Sequence, residues 1–298
     1  TNDDINKSKF AISSYSRKES SKEATIEIYS SNANENDYQI LNMTPSIKNF
    51  VFIHHIAKGG YGSVDLYKKK STNDKYAIKT ISMDLVNDKD QIVLLQNETK
   101  IFNEINSEPI VKCYYTIMEE ENLYFVTEYM PGRDLLSFLN STVLPYNTIQ
   151  LIAAECLMGI IYLHSKNIIH KDIKPENVVI SINGHFKLTD FGISEIFNSE
   201  RSKNKFLIDN KIDVLFDRKL SLDSTISSSS GNAKKKYGTL YYMAPEQLNE
   251  EESDSNIDFW AYGVLLYELF TLKIPFEGKT QKEIEENIKK RNITYEYI

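Results

Sequence analysis

The chain has 298 residues, of which 41% are hydrophobic and 26% charged, a composition that suits a globular protein with one large domain or two lobes. Its formal net charge of −7 argues against a nucleic-acid-binding protein that relies on a broad basic surface. The two cysteines, Cys113 and Cys156, are too few for a disulfide scaffold and favour buried thiols in a reducing compartment. We therefore expect a cytoplasmic protein, with the nucleus as the alternative, and no segment that spans a membrane.

The first half of the chain predicts a disordered tail followed by strands. Residues 1–46 are rich in Ser, Asn, Lys and Glu without a sustained apolar period, so they cannot bury enough surface to offset chain entropy. Alternating apolar residues around a glycine cluster in 50–81 predict two antiparallel strands, a turn and a third strand. Helical spacing of apolar residues predicts a helix over 91–105, and a second hairpin follows over 112–130, turning at 120–122.

The second half is mainly helical. Long apolar patterns predict helices over 148–167 and 258–270, and a third helix follows over 281–291. Residues 198–236 are rich in Ser and Lys with one short apolar patch, which predicts a mobile insertion. Strands first and helices second predict an α+β fold in two lobes, a small antiparallel β-sheet lobe with one helix and a mainly helical lobe. The predicted lobes are residues 47–129 and 130–298.

A glycine cluster and a lysine suggest a phosphate site. In AKGGYGSV (57–64), the glycines let backbone amides approach a phosphate, although such a cluster between strands is more often an ordinary hairpin turn. The strand that follows them excludes a dinucleotide-binding fold, which needs a helix there. Lys79 on the third strand could pair with Glu98 on the next helix, which would direct its ammonium group to a phosphate. Glu104 competes for this pairing, but Phe102, one helical turn after Glu98, is a core-type residue and favours Glu98.

The stretch HKDIKPEN (170–177) adds groups that phosphoryl transfer needs. Asp172 can accept a proton from a substrate hydroxyl, Lys174 can neutralise a transferring phosphoryl group, and Asn177 can offer a carbonyl oxygen to Mg²⁺. Asp190 in LTDFG follows a predicted strand and is a suitable ligand for a hard cation. Each residue alone is explained as part of a solvated loop, but their joint order and spacing predict a phosphoryl-transfer site.

Together with YMAPE (242–246), these motifs stand in the order of the eukaryotic protein kinase signature set, and the chain resembles that family from about Phe50 onwards. The resemblance implies the two-lobed protein-kinase fold and a phosphotransferase that uses ATP and Mg²⁺. It makes Asp172 the catalytic base, and Asn177 and Asp190 the metal ligands. The residues that it places around ATP are Ala57, Lys58, Gly59, Gly60 and Gly62 in the glycine-rich loop, Val64, Ala77 and Val179 around the adenine, Lys79 on the phosphates, and Thr127, Glu128 and Met130 at the hinge.

The resemblance also implies a substrate class. The run KPEN (174–177) and the pair Gly238 and Thr239 resemble those of Ser/Thr kinases, so Thr239 is counted with the catalytic residues. The segment 184–197 with the Ser-rich insert after it resembles the microtubule-associated and Greatwall-type kinases of the AGC group. We thus expect a Ser/Thr kinase of protein substrates, in an oligomeric state that the sequence leaves open. Asp134, Glu176 and Glu268 match positions that in the AGC group recognise basic residues upstream of the phosphoacceptor. An equally weighted alternative is that these three residues are unrelated acids on the surface.

Other residues resemble parts that support an active kinase. Asp258 resembles the residue that anchors the catalytic loop. A stacked hydrophobic spine, which marks the assembled state, would consist of Phe102, Cys113, His170 and Phe191.

Two departures from the family pattern concern activation. Lys171 replaces an Arg that in relatives pairs with a phosphorylated activation loop, so the charge is kept but the bidentate fork is lost. KKKY (234–237) puts Lys235 where the usual phosphoacceptor would fall. We therefore predict that activation does not use that site, with Thr225 or Ser227–Ser230 in the insert as alternatives.

The end of the chain carries a further expectation. The helix over 281–291 resembles one that in kinases precedes two or three more, which supply an Arg for the Glu of APE, here Glu246. We therefore expect a fragment whose helical lobe is truncated at its C-terminus. Alternatives to an active kinase are a pseudokinase or scaffold, a fragment with little activity, and a small-molecule phosphotransferase. The complete catalytic set favours an active enzyme, and GTLYYMAPE favours protein substrates.

Overall fold

The computed structural model of the chain describes residues 45–58, 62–86, 88–197, 240–249, 251 and 254–293. The chain divides into two units, Thr1–Ser46 and Ile47–Ile298, and every helix and strand given below belongs to the second. The predicted tail, apart from its last two residues, and the predicted insert over 198–236 lie outside the described residues, so both stay predictions.

Five antiparallel strands form the sheet of the first lobe, here called the sheet lobe. They are β1 (Phe50–Lys58), β2 (Gly62–Lys69), β3 (Lys75–Ser82), β4 (Cys113–Glu119) and β5 (Asn122–Glu128). Their spatial order is β1-β2-β3-β5-β4, so β1 and β4 form the edges. The three strands and the hairpin that alternation predicted are confirmed.

Two local backbone constraints shape this sheet, a close approach of neighbouring strands and a hairpin turn. Glycine is required at Gly62, because a Cβ atom there would lie 1.7 Å from the carbonyl oxygen of Thr80 on the neighbouring strand. Glu120 and Glu121 join β4 to β5 with φ angles of 49° and 63°, a left-handed pair that suits a two-residue hairpin turn. The turn therefore lies where the polar run in the sequence predicted it.

One helix accompanies the sheet. α1 (Lys89–Glu104) begins after Asp88, whose carboxylate accepts a hydrogen bond from the Asp90 amide at 3.0 Å and caps the helix. Its buried side chains, spaced to form one face, are Ile92, Leu95, Glu98, Thr99, Ile101 and Phe102. The predicted helix over 91–105 is confirmed, and its buried face includes a carboxylate.

The second lobe is mainly helical and is called the helical lobe. Its helices are α2 (Leu135–Leu139), α3 (Tyr146–Ser165), α4 (Pro245–Leu248), α5 (Asn256–Thr271) and α6 (Gln281–Lys290). Four short strands form two antiparallel pairs, β6 (Ile168–Ile169) with β9 (Glu195–Ile196) and β7 (Val178–Ile180) with β8 (Phe186–Leu188). The predicted two-lobed α+β fold is confirmed, whereas the truncation of the helical lobe stays a prediction.

The long helix α3 packs closely on β8. A Cβ atom at Gly159 would lie 2.8 Å from Leu188 Cδ1, so glycine allows the helix to approach the strand.

The length of α3 and its mean hydropathy of 1.3 would also allow it to cross a membrane, but a core helix meets the same criterion, so this is weak evidence. The side chains that α3 buries in the core include Ile149, Ile152, Cys156, Ile160 and Leu163.

One hydrophobic cluster runs through both lobes. It contains Leu95 and Phe125 of the sheet lobe and Ile152 and Leu265 of the helical lobe. The lobes are therefore joined by apolar packing as well as by the chain.

Two adjacent isoleucines of α3 test how far burial governs stability. Ile160 is 0% exposed and Ile161 is 54% exposed. We expect Ile160→Ala to lower the free energy of unfolding by about 2–5 kcal/mol, because it leaves a cavity. Ile161→Ala should change it by less than about 0.5 kcal/mol. Urea unfolding followed by circular dichroism measures both variants, and equal losses would contradict the packing of α3 described here.

Candidate active site

Three charged side chains meet between β3, α1 and the segment after β8. Lys79 Nζ lies 2.7 Å from Glu98 Oε1 and 3.4 Å from Asp190 Oδ1. Glu98 is buried, whereas Lys79 and Asp190 remain partly exposed. The pair expected from the sequence is formed, with Glu98 rather than Glu104 as the partner of the lysine.

Burial and charge act against each other in this group. Burial by itself would lower the pKa of Lys79, but Glu98 and Asp190 outweigh it and raise that pKa above its ordinary value. Burial raises the pKa of Glu98, and the contact with Lys79 opposes this rise. Burial would also raise the pKa of Asp190, but Lys79 and His170 outweigh it and hold that pKa below its ordinary value. Because its pKa is raised, Lys79 carries its positive charge at neutral pH, and its short contact with Glu98 stabilises that charge.

The loop between β6 and β7 gathers a second polar group. Lys174 Nζ lies 2.7 Å from Asp172 Oδ2. Asn177 Nδ2 donates to Oδ2 and to the backbone oxygen of Asp172, each at 2.8 Å. Because Pro175–Asn177 forms a 3-10 turn, the chain returns Asn177 to the start of the loop. Asp172, Lys174 and Asn177 therefore form one hydrogen-bonded group.

The hairpin of β7 and β8 brings this loop to Asp190. Val178 opposes Leu188, and the Thr189 amide donates to the Asn177 carbonyl oxygen at 3.0 Å. Asn177 and Asp190 therefore lie at the same end of the hairpin.

Asn177 and Asp190 could hold a divalent cation. Asn177 uses its side-chain nitrogen on Asp172, which leaves the amide oxygen as the group available to a metal. Carboxylate and amide oxygens are the hard ligands that Mg²⁺ takes. Within the described parts of the chain, no group of three or more His, Cys, Asp or Glu side chains forms a metal site. The two oxygen donors, Asn177 and Asp190, fit a hard divalent cation.

A buried carboxylate anchors the backbone of the loop. Asp258 of α5 is fully buried and accepts hydrogen bonds from the amides of His170 and Lys171, both at 2.8 Å. His164 Nε2 lies 2.8 Å from the same carboxylate. Lys171 and Asp190 adopt φ angles of 69° and 65°, in the left-handed region. The anchor expected from the sequence thus holds a strained turn directly before the catalytic-loop carboxylate.

An aromatic stack connects α1 to the same loop. The ring centroids of Phe102 and Phe191 are 5.4 Å apart, and those of Phe191 and His170 are 5.2 Å apart. The half-buried Cys113 packs against the core cluster that contains both phenylalanines. The structure thus brings three of the four residues expected to form the spine into direct ring contact, with the fourth in the same cluster.

The residues expected around the adenine come from both lobes. Val64 on β2, Ala77 on β3 and Val179 on β7 are half-buried. The Thr127 hydroxyl donates to the Ala77 carbonyl oxygen at 3.0 Å. A cavity of about 310 Å³ extends from the start of β2 past Lys79 to α1. Of the residues expected around the adenine, only Val64 lines this cavity, which instead lies beside Lys79, Glu98 and Asp190 on the side expected to hold the phosphates.

The other residues assigned to the site fall at strand ends or outside the described chain. Ala57 and Lys58 end β1, Gly62 begins β2, Glu128 ends β5 and Met130 follows it. Positions outside the described residues, whose roles stay predictions, are Gly59, Gly60, Thr239, Lys235, Thr225 and Ser227–Ser230.

The three acids expected to recognise basic residues have different environments. Asp134 caps α2, because its carboxylate accepts a hydrogen bond from the Ser137 amide at 2.7 Å. Glu176 is exposed. Glu268 accepts a hydrogen bond from the Tyr242 hydroxyl. Burial raises the pKa of Glu268, and Glu176 adds to the rise although the bond from Tyr242 opposes it.

An ion pair at the hinge escaped the sequence analysis. Lys187 on β8 donates to Oε1 and Oε2 of Glu128 at 2.9 and 3.1 Å, and the Lys112 amide donates to Glu128 Oε1 at 2.8 Å. Both charged side chains are largely buried. In the strand FKL, a lysine between two buried apolar residues predicts an outward, solvated side chain. Its partner Glu128 comes from the other lobe, so the pair depends on how the lobes pack together. The hinge residue therefore links β5 to β8 through its side chain.

Comparisons with known proteins agree with this arrangement. The family model described as protein kinase domain matches residues 50–297. The 3-phosphoinositide-dependent protein kinase B of Dictyostelium discoideum is 34% identical over 251 residues, which cover 84% of this chain and 25% of the relative. The serine/threonine-protein kinase sid2 of Schizosaccharomyces pombe is 32% identical over 249 residues, covering 80% and 41%. A cAMP-dependent protein kinase, catalytic subunit-like, of Caenorhabditis briggsae is 30% identical over 260 residues, covering 85% and 59%.

These matches concern one domain of larger proteins. The chain spans about a quarter of the first relative and about three fifths of the third. The set is consistent with the predicted AGC-type Ser/Thr class. Because the family model covers both lobes and every charged group described above, the chain belongs to the protein kinase domain family.

Proposed function

We propose that the chain is the catalytic domain of a Ser/Thr protein kinase, which transfers the γ-phosphoryl group of ATP to Ser or Thr hydroxyls of proteins. The observation that carries the proposal is the ion pair of Lys79 with Glu98 beside the hydrogen-bonded loop around Asp172. One group is suited to hold phosphates and the other to activate a hydroxyl.

The first group would bind the nucleotide. Lys79, kept charged by Glu98, would contact the α- and β-phosphates. Its second contact, with Asp190, keeps the ammonium group close to the position where a cation would be held. Mg²⁺, bound by Asn177 and Asp190, would neutralise negative charge on the phosphates. A phosphate group held in this way is oriented before a substrate hydroxyl arrives.

The second group would act on the acceptor. Asp172 would orient the substrate hydroxyl and accept its proton. Lys174, 2.7 Å from that carboxylate, would stabilise negative charge on the transferring group. Asn177 donates to Asp172 and so fixes the carboxylate for a hydroxyl. The bond between them also couples the metal site to the base.

Substrate preference and location are further parts of the proposal. The acids Glu176 and Glu268, which interact electrostatically, support a substrate with basic residues upstream of the acceptor. The free cysteines Cys113 and Cys156 support a cytoplasmic or nuclear location. The segment 184–197 and the insert after it support the microtubule-associated or Greatwall-type subgroup.

Asp172→Asn tests the proposed chemistry. The amide keeps the size of the side chain but cannot accept a proton, so kcat for transfer to a basic Ser/Thr peptide should fall by about 10²–10⁴-fold. Radiolabelled phosphate transfer measures kcat, and a fluorescent nucleotide analogue measures binding, which should stay unchanged. Full activity would contradict the assigned base. If the native chain binds Mg·ATP but phosphorylates neither peptides nor small alcohols, a pseudokinase or scaffold is indicated instead.

Two lysines of β3 give a matched test of the phosphate contact. Lys79 is paired with Glu98, whereas Lys75 begins the strand and is exposed. Lys79→Met should lower kcat/KM for ATP by about 10²-fold or more, because it removes a preorganised charge from the phosphates. Lys75→Met should leave kcat/KM unchanged. Thermal unfolding of both variants separates a folding defect, caused by an unpaired Glu98, from the lost contact. Equal kinetics of the two variants would count against the assignment.

The raised pKa of Glu268 predicts a pH dependence of substrate recognition. Glu268 is charged above its pKa and, because that pKa is raised, becomes neutral at a higher pH than an ordinary glutamate as acidity increases. KM for a basic peptide should therefore rise as the pH falls towards this pKa, while KM for an uncharged peptide stays constant. Steady-state kinetics across pH with both peptides measure this, and Glu268→Gln should abolish the difference. Identical profiles for the two peptides in the native chain would disprove the role of Glu268.

A further inference from the structure

Lys171 forms an ion pair that has no part in the roles assigned to the site so far. Its Nζ lies 2.6 Å from Oε2 of Glu195, the first residue of β9. Its amide donates to Asp258, and Asp172 is the next residue of the chain. The backbone of Lys171 is therefore held by the buried anchor, and its side chain by a carboxylate from another segment.

The position of Glu195 is fixed by other bonds. Glu195 opposes Ile169 in the antiparallel pair of β9 and β6. The buried Ser194 donates its hydroxyl to the His170 carbonyl oxygen at 2.8 Å. The Phe197 amide donates to the Asn167 carbonyl oxygen at 2.7 Å. Because its backbone is already ordered, Glu195 can hold Lys171 at a small cost in conformational entropy.

The carboxylates on either side of this pair are engaged elsewhere. Asp172 contacts Lys174 and accepts a hydrogen bond from Asn177. Asp258 accepts hydrogen bonds from two backbone amides and contacts His164. Among the described residues, Glu195 is the carboxylate that the Lys171 ammonium group contacts.

We propose that Glu195 is a positioning residue for the catalytic base, and that it supplies the anion for Lys171 without any phosphorylated side chain. The inference rests on the proposed kinase function. Its geometric basis is the juxtaposition of the anchored backbone of Lys171, the ordered strand β9 and the 2.6 Å contact between the two side chains.

The charges also indicate what phosphorylation would do at this point. A phosphate group brought to Lys171 would stand beside the Glu195 carboxylate, and like charges repel. The sequence KKKY, with no hydroxyl at Lys235, agrees with a loop that does not deliver a phosphate there. Activity should therefore be independent of phosphorylation at this pair.

Glu195→Gln in the full chain tests the positioning role. The expected fall in kcat is about three- to tenfold, because a partly exposed ion pair contributes modestly. KM for ATP should not change. The matched control is Glu286→Gln, since Glu286 is 50% exposed against 53% for Glu195 and also pairs with a lysine, Lys290, at 3.2 Å. The control should retain the native kcat.

Charge reversal separates a specific pair from a general structural effect. Lys171→Glu and Glu195→Lys should each lower kcat, because each places like charges together. The double reversal should restore at least about half of the native kcat, since opposite charges face each other again. A double variant no better than the worse single variant would overturn the proposal. Native kcat in Glu195→Gln would also overturn it while leaving the proposed kinase function intact.

Two measurements complete the test. After treatment with a broad-specificity protein phosphatase, the native chain should still exceed Glu195→Gln in kcat by the same factor, and loss of this difference on dephosphorylation would overturn phosphate independence at the pair. Amide hydrogen exchange of residues 168–177 should be faster in Glu195→Gln than in the native chain or in Glu286→Gln. Exchange does not need activity. If the native chain transfers no phosphate, the proposed function fails, and unchanged exchange in Glu195→Gln then independently overturns the ion-pair proposal.

Discussion

The arrangement of the site depends on the carboxylate of Asp258, which is completely buried and yet fully partnered. A buried carboxylate without partners costs several kcal/mol, roughly, and here two backbone amides and His164 surround it. Those amides belong to the two residues before Asp172, so the bonds that stabilise the buried charge also fix the loop. The anchor lies in the first turn of α5, where the helix dipole favours a negative group. The packing of a core helix thereby determines where a polar loop lies.

The two lobes are joined differently at the hinge and at the phosphate side. At the hinge, Glu128 and Lys187 form a bidentate pair that is largely buried and little screened by salt. At the other side, Lys79 reaches Asp190 at 3.4 Å in a partly exposed contact, which is weaker. The lobes are therefore held more firmly at the hinge than at the opening.

Local signals made much of the fold and site predictable. Alternation located the strand of Lys79, helical spacing located the helix of Glu98, and the proline in HKDIKPEN indicated an irregular loop. Partners of isolated charges could not be predicted in this way. Lys187 meets a residue 59 positions away, and Glu195 meets one 24 positions away. In the sequence, the charged residues of FKL and SEI cannot be distinguished from solvated charges on a strand. Their ion pairs depend on tertiary packing rather than on any period in the sequence.

The left-handed backbone at Lys171 and Asp190 has a consequence for how the protein unfolds. This conformation costs a residue with a side chain about 1–2 kcal/mol, and it occurs here on both segments that carry reactive groups. The strained backbone at these positions lowers the stability of the fold, and packing of the surrounding core offsets this cost. We therefore expect these two turns to open locally before the lobes themselves come apart.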